Sequence, residues 1–135
     1  MERISVSVVL AGISAILLTI FGIWSAAMMA LVVLIALDIA SGWTRAIIQK
    51  ELSSSASWKG MLKKLLIFGA VALANQADVL AGSGILIKSA VVVFYCATEG
   101  LSVLENLAAV GLPIPPVLRD ALKQLNGKKF SPPAK

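Results

Sequence analysis

Between Ile4 and Leu37 the chain carries no charged side chain. One membrane-spanning helix needs about 20 apolar residues, so this run is long enough for two short spans. It divides at Gly22-Ile23-Trp24-Ser25, where glycine and serine favour a turn and the indole suits the headgroup level. Spans are therefore predicted over about 4–21 and 26–45. The second ends in polar positions, Asp38, Ser41, Gly42 and Arg45, that recur at helical steps and share one face. The run Ser53-Ser54-Ser55-Ala56-Ser57 then breaks the helical pattern and offers N-cap hydroxyls for the next helix. A third span, predicted over about 61–80, is the weakest. Only Leu65 to Ala77 are uncharged there, and they include Asn75 and Gln76. The segment crosses only with Lys63 and Lys64 snorkelling and Asp78 reaching the far surface. Ala81-Gly82-Ser83-Gly84 is the next turn, and the fourth span, about 85–108, holds Lys88 one turn in.

The exit of that last span is the most informative stretch. On a helix, Glu99, Ser102 and either Glu105 or Asn106 recur at three- and four-residue steps, with Leu101, Leu104, Leu107 and Ala108 opposite. A hydrocarbon core about 30 Å thick puts the exit near Leu104, so Glu99 lies inside by about a turn, near the depth of Asp38. Gly111, Pro113, Pro115 and Pro116 end the pattern, because proline lacks the N–H and clashes with the preceding turn. Residues 116–125 then read as a short amphipathic helix, with Val117, Leu118, Ala121, Leu122 and Leu125 opposite Arg119, Asp120 and Lys123. Asn126-Gly127 stops it, and a basic tail with Lys128 and Lys129 is expected to be disordered. The predicted fold is an all-α integral membrane protein with about four transmembrane helices in two hairpins. Residues 1–110 form the transmembrane domain, interrupted by a basic loop at 45–64. Residues 111–135 supply a proline turn, an amphipathic helix and a tail.

Composition removes the soluble classes. Hydrophobic residues make up 59% and charged residues 14%, with mean hydropathy +0.92, where soluble domains carry about 25% charged residues. The apolar run is also too long for a signal-peptide h-region of about 7–15 residues. The net charge of +5 gathers beside the apolar segments, in Arg45, Lys50, Lys59, Lys63 and Lys64 against Glu51 alone, and in Lys128 and Lys129. That placement points to a bilayer surface rather than to nucleic acid. The positive-inside rule assigns both basic segments to the cytoplasm. Four spans then put both termini inside, with only Gly22–Ser25 and the Asp78–Gly84 region outside. Trp24 and Trp58 are the interface anchors. A lone Cys96 rules out an intrachain disulfide, and without histidine there is no basis for imidazole acid–base chemistry or a serine triad. No nucleophile elbow, phosphate-cradling loop or metal-ligand spacing occurs, so neither an enzyme nor a cofactor is expected.

The costly residues are Asp38, Glu99 and Glu105. A carboxylate at the bilayer centre costs at least about 2.5 kcal/mol, so it should face other helices or water. Asp38 either pairs with Arg45 or a loop lysine, and the glutamates hydrogen-bond within the monomer, or these stripes seal helices at rest and line water after assembly. The readings are compatible. Four spans and a buried carboxylate also fit a small proton-coupled transporter. The small multidrug transporters, however, carry their essential glutamate in the first span, where this chain has none. Ala11, Gly12, Ala15, Gly42, Ala70, Ala72 and Ala74 permit close helix packing but do not by themselves define a seam.

Three blocks carry a family resemblance. They are Leu37-Asp38-Ile39-Ala40-Ser41-Gly42 with Ala46 following, Lys50-Glu51-Leu52-Ser53-Ser54 leading to Trp58-Lys59-Gly60-Met61-Leu62-Lys63-Lys64, and Glu99-Gly100-Leu101-Ser102-Val103-Leu104-Glu105-Asn106 with Gly111-Leu112-Pro113-Ile114-Pro115 after it. Over about residues 22–125 the chain resembles the phage-lysis and toxin-secretion holins, the family of the clostridial toxin-release holin and the small Bacillus podophage holin. The short apolar N-terminus departs from the pattern by offering no obvious second start for an inhibitor form. The resemblance implies a multi-pass protein of the bacterial cytoplasmic membrane that forms a homo-oligomeric pore. An endolysin or a large toxin would then be released cargo rather than a bound partner. The residues expected to serve the pore or its assembly are Asp38, Ser41, Gly42, Arg45, Glu99, Ser102, Glu105 and Asn106.

Overall fold

A computed structural model describes residues 5–126, and every regular element in that range is helical. The elements are α1 (Val6–Phe21), α2 (Ala26–Ile48), α3 (Ser54–Ala81), α4 (Leu86–Ala109) and α5 (Pro116–Asn126). Lys128 and Lys129 lie outside the described residues. Three segments, Ala26–Ile48, Ser57–Ala81 and Leu86–Ala109, are long and apolar enough to cross a membrane. α1 is apolar but has 16 residues, about 24 Å at 1.5 Å per residue, which falls short of a hydrocarbon core of about 30 Å.

α4 is the central helix. It packs most extensively on α2 and also meets α3 and α5, whereas α1 contacts α3. α2 and α3 meet through side chains rather than by close backbone approach. The core follows helical periodicity: Met28, Leu31 and Ile35 of α2 meet Ile67 and Val71 of α3 and Val92 of α4. Continuing these stripes by three or four residues reaches Asp38 on α2 and Lys64 on α3, so the same faces that build the core end in charge. α1 contributes no buried residue. Its end is held by Gln76, whose amide donates to Thr19 O (3.0 Å), and by Asn75, which donates to Ile20 O (3.2 Å).

Two boundaries differ from the sequence expectation. The break after α2 falls at residues 49–53, and Ser54–Ser57 already form the first turn of α3, with the Ser57 N–H donating to Ser53 O at 3.0 Å. The predicted basic loop is correspondingly short, and Lys59, Lys63 and Lys64 are helical. The cause is visible at the end of α2. Lys50 N–H donates to Ile47 O and Glu51 N–H to Ala46 O, the paired bonds of a Schellman stop, with Lys50 in the left-handed position at φ 56°. α4 ends the same way: Gly111 (φ 89°) donates to Ala108 O and Leu112 to Leu107 O. This stop turns the chain so that α5 folds back along α4.

Candidate functional site

The bundle has two ends of different construction. One carries the α2–α3 connection and the C-terminus of α4; the other carries both tight turns, 22–25 and 82–85. A polar cluster sits at each.

At the loop end, the Lys64 ammonium of α3 forms ion pairs with Asp38 of α2 and Glu99 of α4. Asp38 is 8% exposed and Glu99 4%. Asn106 donates to Asp38 Oδ1 at 3.0 Å and to Ser41 Oγ at 3.1 Å, while the Ser41 hydroxyl donates to Asp38 O at 3.2 Å. Gly42 lies against the amide, and a Cβ there would be in ordinary contact with Asn106 Nδ2, at 3.6 Å. Beside the cluster lies an open cleft of about 290 Å³, lined by Asp38, Gly42, Lys64, Ser102 and Asn106 and by Glu51 in the α2–α3 connection. Three helices thus meet through one cation and two carboxylates, with the α2–α3 side of the junction open.

Each expected residue has a defined place. Asp38, Ser41, Gly42, Glu99, Ser102 and Asn106 converge. Glu105 does not; it is exposed, and among the described residues it joins no ion pair or hydrogen bond. Helix geometry explains the split. At about 100° per residue, the seven steps from Glu99 to Asn106 return almost to the same face, whereas six steps carry Glu105 about 120° away. Asp38 pairs with Lys64 rather than with Arg45. The Arg45 guanidinium instead donates to Gln49 Oε1 (3.0 Å), and Gln49 donates to Ala109 O (3.4 Å) at the end of α4. Lys50, Lys59, Lys63, Trp24 and Trp58 are exposed. Trp43, also exposed and lining the cleft, joins Trp58 near this end.

Sequence reasoning did not anticipate the second cluster. Asp78, almost fully buried, accepts from the Ser83 hydroxyl (2.6 Å) and from the backbone N–H groups of Ile87 (2.9 Å) and Lys88 (2.7 Å). It therefore caps the N-terminus of α4, where free N–H groups and the helix dipole favour an anion. Lys88, 4% exposed, donates to Phe21 O at 3.0 Å and Ile23 O at 3.1 Å. It clamps the end of α1 where carbonyls are unpaired. Gly22 (φ 67°) is required there, because a Cβ would lie 2.3 Å from Asn75 Oδ1. The signal available in the sequence was the cost of Asp78 and Lys88 in an apolar setting, which demands partners.

Among the described residues no three His, Cys, Asp or Glu side chains are placed to hold a metal ion. Both clusters join helices, and the loop-end cluster also borders an open cleft.

Comparison with known proteins places this geometry in context. Residues 15–127 match a bacteriophage holin family. The chain is 41% identical over 92 residues to a probable holin of Bacillus phage phi105, covering 68% of each chain. It is 41% identical over 111 residues to an uncharacterized 14.9 kDa protein in the nagH 3′ region of Clostridium perfringens (82% of this chain, 84% of that one). Identity to the uncharacterized protein YqxH of Bacillus subtilis is 39% over 99 residues (73% and 71%). No solved structure matches.

Proposed function

The chain belongs to the bacteriophage holin family, and on that premise we propose that it assembles in the bacterial cytoplasmic membrane into a homo-oligomeric pore. The pore releases an endolysin, or in a toxin-associated setting a large toxin, and triggers lysis of the host. The observation that carries this reading is the bridge from Lys64 to both Asp38 and Glu99. In the single chain that bridge neutralises buried carboxylates and joins α2, α3 and α4. If the helices part, the same side chains with Ser41, Gly42, Ser102 and Asn106 supply a polar wall for water, which offsets the cost of charge in the membrane. Glu105 lies at the same end and faces outward, and the half-buried Arg45 there bonds to Gln49.

In this arrangement four helices span the membrane, the short α1 by local thinning of the bilayer, with both termini inside. The exposed Lys50, Lys59 and Lys63 and the tail residues Lys128 and Lys129 lie at the cytoplasmic surface, and Trp24 and Trp58 anchor the interfaces. Cysteines at Ser55 and Ala81, each introduced into a Cys96→Ser chain, test this topology. Impermeant reagent outside intact cells should label position 81 and leave 55 unlabelled; labelling of 55 overturns the orientation.

Inducible expression tests the function. Membrane potential should collapse after a lag, and a co-expressed endolysin lacking a signal peptide should leave the cytoplasm. Retained potential and retained endolysin at high expression overturn the pore. Gradient-driven efflux with preserved viability would favour a small proton-coupled transporter instead.

A further inference from the structure

α5 is tied to the rest of the bundle through α4. At the centre of that contact Leu122 sits directly on Gly100: a Cβ at Gly100 would lie 3.1 Å from Leu122 Cδ1 and 3.2 Å from Cδ2. The fit is therefore a leucine entering a hole that exists because α4 has no side chain there. Gly100 is buried and adjoins Glu99, the carboxylate bridged to Lys64. The rest of the apolar side of α5 is not used. Val117, Leu118 and Leu125 remain exposed.

The connection that folds α5 back has no regular structure over residues 112–115. Residues preceding Pro113, Pro115 and Pro116 are pushed toward extended backbone, and the reversal rests on Gly111 at φ 89°. Extended, residues 110–115 reach about 20 Å at roughly 3.3 Å per residue. Packed helix axes lie about 8–10 Å apart. A neighbouring chain's α4 packed on the far side of α5, two such spacings or about 16–20 Å away, is still within that reach.

We propose that α5 is exchanged between copies, the Leu122 side of one chain docking on the Gly100 surface of α4 in the next. The occupant is specified by the contact the chain already makes with itself, so exchange needs no new surface. Each copy donates one α5 and receives one, so a reciprocal exchange closes as a dimer, while donation to the next copy in line is head-to-tail and propagates into rings or longer arrays. It also makes assembly depend on density. A short tether holds the intrachain contact at an effective concentration of roughly millimolar, so exchange takes over as copies crowd the membrane. Because the donated helix lands beside Glu99, assembly and the Lys64 bridge act on the same segment of α4. The inference rests on the pore reading for its purpose but not for its test.

The test is disulfide trapping in a Cys96→Ser chain expressed at full length, with the thiols oxidised by copper–phenanthroline added to isolated membranes because the cytoplasm keeps thiols reduced. Cysteines at Gly100 and Leu122 in one chain should form an intramolecular bond at low expression and a ladder of covalent multimers near the onset of depolarisation. Two differently tagged chains, one with Gly100→Cys and one with Leu122→Cys, should then yield a covalent heterodimer. Absence of the bond at low expression overturns the contact being exchanged. A bond that stays intramolecular at all expression levels, with no heterodimer, overturns the exchange. Since the readout is a gel, depolarisation without cross-links sinks the exchange and spares the pore, and cross-links without depolarisation do the reverse.

Discussion

The two polar clusters use the same chemistry to opposite effect. Each centres on a buried or half-buried lysine and a buried carboxylate, and along α3 the residues Lys64 and Asp78 are about 21 Å apart. At the turn end, every bond made by Asp78 and Lys88 goes to backbone or to the Ser83 hydroxyl in the same turn. Backbone partners cannot swing away, and the formal charge of the pair is balanced. At the loop end Lys64 bonds only to side chains of other helices, one ammonium faces two carboxylates, and an open cleft lies alongside. On the proposed pore reading, a junction of the first kind keeps its helices together and the second serves as a latch. The difference argues that the bundle hinges at its turns and parts at the α2–α3 connection.

The largest expected effect is at the turn end. Asp78→Ala strands the Ile87 and Lys88 N–H groups and the Ser83 hydroxyl in a buried site, at about 1–3 kcal/mol for each unsatisfied group. Folded protein recovered in mild detergent should fall sharply, read as loss of protease-resistant material. Normal recovery would mean that this end is no more fixed than the other. Next comes Lys64→Met, which leaves two carboxylates without their cation. Removing one partner of a buried pair costs about 3–5 kcal/mol, here concentrated where the helices are proposed to part. Insertion should persist and depolarisation should begin earlier. Adding Asp38→Asn and Glu99→Gln should move onset back toward the parent. If the triple variant stays as early as Lys64→Met, charge is not what the latch holds.

A smaller effect separates two residues that the sequence left equivalent. Asn106→Ala removes the bonds to Asp38 and Ser41 and should cost about 1 kcal/mol, with a modest advance in onset. Glu105→Gln, on the exposed face, should leave onset unchanged. The reverse ranking would move the polar face around α4 by a third of a turn.

This ambiguity shows what was legible in the chain. Asp38 and Ser41 could be placed together because a three-residue step on a helix is a local rule, and the all-helical fold followed from apolar run lengths. Glu99, Glu105 and Asn106 were all visible as polar positions, but choosing among them needed the bearing of α2 relative to α4. Lys64 could be read both as a snorkelling residue at a span edge and as one of the loop lysines open to Asp38, and singling it out needed partners from distant parts of the chain. Asn75, Gln76, Asp78 and Lys88 were counted as weakening the third and fourth spans. Hydropathy scores a polar side chain as a cost and cannot register that its partner is a carbonyl at the end of α1 or an amide at the start of α4. The short loop was missed for a local reason: a left-handed helix stop ordinarily announces itself as glycine, and here the residue is Lys50.

That residue supplies the smallest test and brings the two ends back together. At the turn end the left-handed positions are taken by Gly22, Gly82 and Gly84, whereas at the loop end Gly111 takes the one after α4 and Lys50, at φ 56°, the one after α2. A side chain in that conformation is disfavoured by about 1–2 kcal/mol, and glycine relieves this at a cost of about 0.5–1 kcal/mol in unfolded-chain entropy. Lys50→Gly should therefore stabilise the α2–α3 connection by about 0.5–1 kcal/mol and delay depolarisation slightly. The substitution also deletes a cation from the connection, so Lys50→Ala is the comparison that matters, because it loses the same charge and keeps the strain. A higher unfolding temperature in detergent and a later onset for Lys50→Gly than for Lys50→Ala would tie strain at this connection to the ease with which the loop end parts. Equal values for the two would place the opening elsewhere than between α2 and α3.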